Sequence, residues 1–226
     1  MDGFKAEILK KRIERTMENL ERNNMEAFFV PDKEDVVPRL SEMISAGSTV
    51  TCGGSVSLYQ CGVIDFLRDG PYCFLDRDRE GLSKEDREAI FRQAFSSDVY
   101  LCSSNAVTEN GELYNVDGNS NRTAAILYGP KSVIMVVGIN KIVRNLDEAV
   151  LRVKTVSAPA NALRLRCGTF CSEKGYCASL EGKKSGVEIC AGCHTDARIC
   201  CNYVISARQR QKNRIKVLLV GQDLGY

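Results

Sequence analysis

The sequence predicts an α/β fold, with a mostly parallel sheet covered by helices on both faces. Three observations support this prediction. Apolar strands alternate with amphipathic helices, the connections between them are short, and a last buried strand follows a cysteine-rich stretch. The 226 residues suffice for one sizeable domain with a small insertion. We therefore expect a single domain over residues 1–226, in which residues 164–203 form an inserted cysteine-rich segment that binds a metal.

The alternation of strands and helices is predicted in the first half of the chain. Residues 4–22 have apolar side chains at spacings of three and four, which is typical of an amphipathic helix. Short apolar runs bounded by Pro, Gly or Asp predict buried strands. Strands are expected at residues 26–30, 48–52, 72–75 and 98–103, and further helices at residues 35–44, 56–68 and 83–95.

The second half begins with a predicted hairpin. Asn110-Gly111 lies between two alternations of polar and apolar residues, and both residues tolerate the positive φ that a tight turn needs. After it we expect strands near residues 123–128 and 132–138, a helix over about residues 145–163, and a strand at residues 215–220. That last strand is expected to return to the main sheet.

Composition narrows the classes of partner. The net charge is +2, which gives no general electrostatic reason for binding nucleic acid or a membrane surface. No apolar run approaches the roughly 18 residues of a membrane-spanning helix. The first residues lead into a charged helix without an apolar signal region. We therefore expect a cytoplasmic protein.

A glycine-serine loop, Gly53-Gly54-Ser55, lies between a predicted strand and a predicted helix. Two residues without a Cβ let a phosphate or carboxylate approach the backbone closely, and ligands of parallel sheets lie at the carboxyl ends of strands. The same three residues also suit a tight turn in which Ser55 caps the helix. Both interpretations stay open.

The hairpin region, residues 108–122, is richer in polar side chains than a turn requires. In a functional interpretation it faces the substrate, where Asn121 and Arg122 grip a carboxylate or phosphate and Glu109 acts as a base or nucleophile. In the alternative, the region is a solvated hairpin whose Asn and Asp side chains cap their own backbone.

A third stretch, Gly138-Ile139-Asn140-Lys141, follows another buried strand. Backbone donors near Gly138 and Asn140, with the cation of Lys141, could face the same ligand as the hairpin. The expected partner is an anionic small molecule: a hydroxy acid, a phosphate or a CoA ester.

The cysteines are unusual, because seven of the 11 lie between Cys167 and Cys201. A reducing compartment disfavours disulfides, so this density of thiols suits zinc or an iron–sulfur cluster. Cys190-x2-Cys193 has the spacing of a metal knuckle. The adjacent His194, the only histidine, is poorly placed to join it. The alternative is a redox-reactive or disulfide-closed flap.

Several stretches together resemble the LUD (lactate utilisation) domain family: Thr108–Leu113, Asp117–Arg122, Gly129–Lys131, Val136–Val143 and Ile215–Tyr226. The resemblance implies a fold similar to the sugar-phosphate isomerase, deaminase and CoA-transferase superfamily. In that fold, glycine loops between strands and helices face the ligand, which agrees with the prediction that Gly53–Ser55 binds an anion.

Some members of the family carry a cysteine segment of the form C-x5-C-x2-C-x6-C. The resemblance implies that the metal ligands come from five residues: Cys171, Cys177, Cys190, Cys193 and Cys200. This sequence inserts residues between Cys177 and Cys190, which leaves open which of those two is a ligand. Cys167 and Cys201 would be neighbours of the site.

Three hypotheses for function follow. The resemblance implies a component or accessory of 2-hydroxy-acid metabolism, oxidising lactate to pyruvate with redox partner proteins. The alternative is a metal-stapled binding protein, or a transferase-like or isomerase-like enzyme, acting on a sugar phosphate or acyl-CoA. A third hypothesis is a structural zinc segment that serves protein interaction.

Overall fold

A computed structural model of this chain describes residues 3–182 and 186–226. The α-helices are α1 (Gly3–Arg22), α2 (Val36–Met43), α3 (Val56–Gln60), α4 (Val63–Asp69), α5 (Lys84–Gln93), α6 (Asn121–Leu127), α7 (Leu146–Arg152), α8 (Ala158–Arg164) and α9 (Phe170–Lys174). The strands are β1 (Glu26–Val30), β2 (Thr49–Cys52), β3 (Cys73–Leu75), β4 (Val99–Cys102), β5 (Ala106–Thr108), β6 (Leu113–Asp117), β7 (Ser132–Gly138), β8 (Ile142–Val143), β9 (Asn202–Ser206) and β10 (Ile215–Val220). A π-helical turn, Val153–Ser157, joins α7 to α8.

The main sheet has six strands in the order β1-β10-β7-β4-β2-β3, and every neighbouring pair is parallel. The predicted parallel sheet is therefore confirmed. The last strand, β10, pairs with β1 and β7 inside the sheet, as its apolar composition predicts. Strands buried on both faces read as continuous apolar runs, and β7 and β10 are of this kind.

Two hydrophobic cores cover the two faces of this sheet. Side chains of β7 alternate between them: Val133, Met135 and Val137 face one core, and Ile134 and Val136 the other. Helices α1 and α6 pack on the first face, and α2, α3 and α4 on the second. The expectation of helices on both faces is confirmed.

A second sheet, in the order β8-β5-β6-β9, lies beside the first. The predicted hairpin is β5 and β6, which are antiparallel. β9 follows the cysteine-rich segment and pairs with β6 over Leu113–Asp117. The segment is therefore attached to this second sheet. Of its residues 164–203, residues 183–185 lie outside the described part.

The prediction of a strand near residues 123–128 is wrong, because residues 123–127 belong to helix α6 and residue 128 is its C-cap. An apolar run this short does not distinguish a strand from a buried helix. The preceding polar residues decide it: Asp117 Oδ2 accepts the backbone N–H of Thr123 at 3.2 Å, and Ser120 O accepts that of Ala124 at 2.8 Å. The first of these bonds satisfies a donor that a helix N-terminus leaves free, and the second is the first regular bond of the helix.

Two predicted helices are interrupted. The helix expected over residues 56–68 divides into α3 and α4, because Gly62 adopts a φ of 68° between them. The helix expected over about residues 145–163 contains the π-helical turn. Within residues 3–182 and 186–226, none of the helices combines the length and the apolar character needed to cross a bilayer.

Replacing Gly111 by alanine is expected to destabilise the protein by about 2–4 kcal/mol. Gly111 has a φ of 80°, and a Cβ there would lie 2.5 Å from the backbone of Asn19 in α1. Strain and overlap therefore act together. Gly81→Ala is the matched control, because Gly81 has the same φ with nothing within 4 Å. Urea unfolding of both variants measures the difference, and equal losses would contradict close packing of the hairpin on α1.

Candidate functional site

A cavity of about 340 Å³ lies where several parallel strands end. It is called the polar cavity below. Its wall includes Gly54 and Ser55 after β2, Ser103 after β4, and Lys141 after β7. The carboxyl ends of parallel strands are the usual place for a ligand in an open α/β sheet, so this cavity is the candidate ligand site.

Positively charged side chains outnumber negatively charged ones around the polar cavity. Its lining includes the carboxylate of Asp117 and five cationic side chains, Arg77, Arg122, Lys141, Arg164 and Arg198. The Nε of Arg77 is buried without a hydrogen-bond partner in the described part of the chain. The nearest acid, Asp78, is 3.7 Å from that atom through Oδ1. This excess of cations favours an anionic ligand.

Lys141 is the most unusual of these groups, because only 3% of it is exposed. Its Nζ lies 3.0 Å from Ser57 Oγ and 3.1 Å from Ser103 Oγ, to which it donates. No carboxylate pairs with it among residues 3–182 and 186–226. Burial, followed by the nearby Arg152 and Arg122, lowers the pKa of Lys141 to about 7. Near neutral pH the side chain is therefore poised between ammonium and amine.

The glycine-serine loop contributes only part of its predicted surface. Gly54 and Ser55 line the polar cavity, whereas Gly53 lies behind it and donates its N–H to Leu101 O at 2.8 Å. A Cβ on Gly53 would lie 3.0 Å from Tyr100 Oη. The helix that follows has five residues, and Ser55 makes no side-chain cap bond. The role of the loop in anion binding stays a prediction.

Arg122 does not have the free guanidinium that the sequence suggested. Its terminal nitrogens donate over 2.7–3.2 Å to Ser103 O, Asn115 Oδ1, Asn105 Oδ1 and Val116 O. Its Nε lies 3.6 Å from Asp117 Oδ2. Arg122 therefore ties the end of β4 to β6 and builds the wall of the polar cavity. The neighbouring Asn121 lines that cavity, and its role in holding a substrate stays a prediction.

Gly138 and Asn140 lie outside the lining of the polar cavity. Asn140 Oδ1 accepts the N–H of Leu224 at 3.1 Å, and a Cβ on Gly138 would lie 2.5 Å from that nitrogen. These two residues hold the segment that ends in Gly225 and Tyr226, both of which line the cavity. Gly138 and Asn140 therefore shape the wall of the cavity indirectly, through that segment, and do not face a ligand there.

Glu109 is not brought to the polar cavity. It is buried against α1, where its carboxylate accepts from Arg12 Nε at 2.7 Å and also pairs with Arg15. Burial raises the pKa of Glu109, but the hydrogen bonds from Arg15 and Arg12 outweigh this, and the net shift is downward. A stably ionised carboxylate held by two arginines docks α1 on the hairpin and is poorly suited to act as a base.

Four cysteines line a second, smaller cavity of about 20 Å³, called the cysteine cavity below: Cys171, Cys177, Cys193 and Cys200. Burial, followed by Cys171 and Cys177, raises the pKa of the Cys200 thiol to about 12. The hydroxyl of Tyr114, also in the lining, is buried without a hydrogen-bond partner among the described residues. Cys190, Cys167, Cys201 and His194 lie outside this lining.

The thiols of the cysteine cavity are suitable metal ligands, and the volume of the cavity limits the size of the metal group. Four thiols are a suitable ligand set for zinc, and the unpartnered Tyr114 hydroxyl could donate to a thiolate. A cavity of about 20 Å³ admits one ion-sized particle and is too small for a cluster. As placed in residues 3–182 and 186–226, no three His, Cys, Asp or Glu side chains form a group that could hold a metal.

Arg198 organises the loop that carries these cysteines. Its guanidinium donates to Cys200 O at 2.8 Å, Cys193 O at 3.1 Å and Cys190 O at 2.8 Å. A Cβ on Gly192 would lie 3.1 Å from Arg198 Cζ, so a larger residue there would press on the guanidinium. One arginine thus holds three carbonyl groups of the loop in place.

The two cavities share a wall. Five residues line both: Val153, Ala158, Arg198, Ile199 and Cys200. The N–H of Cys201 also donates to Asp117 O at 3.1 Å, which ties the loop to the end of β6. The cysteine-rich segment is therefore part of the candidate ligand site.

Sequence reasoning missed several of the residues that shape the site. Ser57 and Ser103 contact Lys141, and Arg152 donates to Asn105 O at 2.7 Å beneath the cavity. The one available signal was position, since Ser103 and Lys141 each follow a buried strand near its carboxyl end. Their mutual contact joins residues 38 positions apart, and local sequence patterns do not report such a contact.

Comparisons with known proteins identify the family of this chain. The LUD domain model matches residues 13–220. A solved structure of a DUF162 family protein from Deinococcus radiodurans is 12% identical, with 94% of this chain and 96% of that chain covered and a TM-score of 0.47. The eIF2B beta structure from Chaetomium thermophilum is 14% identical, with 53% and 42% covered and a TM-score of 0.37. No curated protein matches the chain.

Proposed function

Because the chain belongs to the LUD domain family, whose name refers to lactate utilisation, we propose that its polar cavity binds lactate or its oxidation product pyruvate. The protein would then serve 2-hydroxy-acid metabolism as a component or accessory. The observation that carries the proposal is Lys141, a buried cation without a carboxylate partner in the described residues, at the edge of a cavity rich in cations.

The geometry supports binding of a carboxylate in a definite way. An anion in the cavity would supply the charge partner that Lys141 lacks, and the adjacent Ser103 hydroxyl can donate a second hydrogen bond. The buried Arg77 Nε has no hydrogen-bond acceptor among the described residues, although the carboxylate of Asp78 lies 3.7 Å away. Burying a cation without a charge partner is costly, so a site that keeps Lys141 gains stability when an anion binds.

Calorimetry and thermal shift with L-lactate, pyruvate, inorganic phosphate and acetyl-CoA test this proposal. A ligand that binds only the folded state raises its stability by about 2.7 kcal/mol at a hundred times the dissociation constant. We expect lactate or pyruvate to stabilise the protein. Stabilisation by phosphate or acetyl-CoA alone would instead favour the alternative, an enzyme acting on a sugar phosphate or acyl-CoA. The cavity volume of about 340 Å³ is larger than lactate fills, which supports a larger ligand and therefore that alternative.

For the cysteine cavity we propose a single metal ion, such as zinc, held by Cys171, Cys177, Cys193 and Cys200. The shared lining of that cavity supports these four over Cys190. When bound, the ion would cross-link loops that have little apolar core of their own. An electron-transferring iron–sulfur cluster, with redox partner proteins, is the competing proposal.

Metal content separates these proposals. In protein prepared anaerobically, Cys193→Ser is expected to lose the metal and to unfold at a lower temperature, because one of four ligands is gone. Cys190→Ser, the matched control in the same loop, is expected to keep both. Elemental analysis and absorbance spectra read the result. Equal metal loss in the two variants would contradict the four-ligand assignment, and a brown protein would favour the cluster.

A further inference from the structure

Lys141 has surroundings that a merely structural lysine does not need. Its charged and titratable neighbours are Arg152, Arg122, Cys102 and Cys61. The two arginines repel an ammonium group. Burial raises the pKa of the Cys102 thiol to about 12 and that of Cys61 to about 11, so both thiols are neutral and offer no compensation. The side chain is thus held where the neutral amine is present beside the ammonium form near neutral pH.

The amine is also accessible to a ligand and equipped to exchange protons. Lys141 lines the polar cavity, and its Nζ touches the hydroxyls of Ser57 and Ser103, which can both donate and accept. Arg77 and Arg164 line the same cavity and can hold a carboxylate. A lysine that is desolvated, beside other cations and free of acids is the known setting of an amine nucleophile.

We propose that Lys141 is a nucleophile that forms a Schiff base with the carbonyl carbon of a 2-oxo acid bound in the polar cavity. The inference rests on the proposed function, since it needs pyruvate or a related 2-oxo acid in that cavity. Nζ forms a bond to C2, and the bond between C2 and the carbonyl oxygen breaks. The oxygen leaves as water with the two protons of the amine, passed on by the Ser103 hydroxyl. No oxidant or reductant takes part.

The chemical consequence concerns the atoms beside C2. Once the imine nitrogen has taken up a proton from solvent water, the imine withdraws electrons more strongly than the original carbonyl, so a proton on C3 becomes easier to remove. Lactate has no carbonyl group and cannot form this adduct. The proposed site therefore distinguishes covalently between the oxidised and the reduced member of one hydroxy-acid pair.

Trapping with sodium cyanoborohydride tests the inference on the full chain. The protein is incubated with pyruvate and the reductant, and intact mass and peptide mapping are recorded. We expect one adduct per chain, with the mass of pyruvate less one water plus two hydrogens, located on Lys141. With lactate in place of pyruvate no adduct should form. Mapping the unaltered chain keeps the test independent of whether any variant folds.

Variants sharpen the assignment. Lys141→Met should abolish the adduct, whereas Lys131→Arg, which alters an exposed lysine paired with Asp98 at 2.8 Å, should leave it unchanged. Pyruvate that stabilises the protein without forming an adduct would overturn the Schiff base and leave the proposed function standing. Adducts scattered over surface lysines would also overturn it. Neither stabilisation nor adduct would overturn both.

Discussion

Replacing Lys141 by methionine is expected to stabilise the ligand-free protein by about 1–4 kcal/mol at pH values below 7. Lowering a lysine pKa from 10.5 to about 7 reflects a cost of about 5 kcal/mol for burying the charge. Methionine fills a similar volume without that charge. Part of the gain is offset because the Ser57 and Ser103 hydroxyls lose a donor, at about 1 kcal/mol each.

The pH dependence of stability identifies the group responsible. Between pH 7 and 10.5 the unfolded chain binds a proton at Lys141 that the folded chain has released. The free energy of unfolding contributed by this residue therefore rises as the pH increases through that window, and it is constant outside it. The methionine variant should lack this rise. Urea unfolding at several pH values between about 6 and 10 measures both proteins, and parallel curves would contradict the buried, unpaired lysine.

The same variant should lose its ligand. Removing the cation that faces a buried carboxylate costs about 2–5 kcal/mol, which corresponds to a loss of affinity of roughly 30-fold to several thousand-fold. Calorimetry with lactate and pyruvate measures this loss, with Lys131→Arg as the control. A variant that gains stability while losing binding would mark Lys141 as a functional residue, because stability has been given up for the site. Unchanged affinity would place the ligand elsewhere.

Replacing Arg122 by methionine is expected to have the opposite effect on the fold, a loss of about 3–5 kcal/mol. Four acceptors in the interior, two of them backbone carbonyls, would lose their donor at once. Ligand binding should fall as well, because the wall of the polar cavity would rearrange. Urea unfolding at neutral pH measures the loss of stability.

Arg164→Met is the matched control for this substitution. Arg164 lines the same cavity, but it is exposed and, within the described part of the chain, its side chain hydrogen-bonds to Asn161. We expect a change in stability within about 0.5 kcal/mol. If Arg122→Met instead kept its stability and lost only affinity, the original interpretation of Arg122 as the residue that grips the anion would be right.

The fold was largely predictable because its signals are local. The long apolar runs of β7 and β10 predict buried strands by their own composition, and Asn110-Gly111 specifies a hairpin within four residues. The prediction of a strand at residues 123–128 failed because Thr-Ala-Ala-Ile-Leu suits a buried helix as well as a strand. The deciding bond, from Thr123 N–H to Asp117 Oδ2, reaches outside the run itself.

The candidate site was predictable in outline but not in its roles. Glu109 is a residue type that can act as a base, and Arg122 is one that can bind an anion. Each instead pairs with a partner distant in sequence: Glu109 with Arg12, 97 residues away, and Arg122 with Ser103, 19 residues away. A charged side chain is available to a ligand only when its neighbours leave it unpaired. Those neighbours are supplied by folding.

The sequence by itself determined the parallel sheet, the return of the last strand to its interior and the family to which the chain belongs. It also marked the cysteine-rich segment, because spacing and composition are carried by contiguous residues. Only the tertiary structure decided that Lys141 is buried beside Ser57 and Ser103, and that four of the cysteines line a cavity that shares part of its wall with the polar cavity. The physical reason is that burial and pairing depend on the distances between chain segments, and residues remote in sequence set those distances.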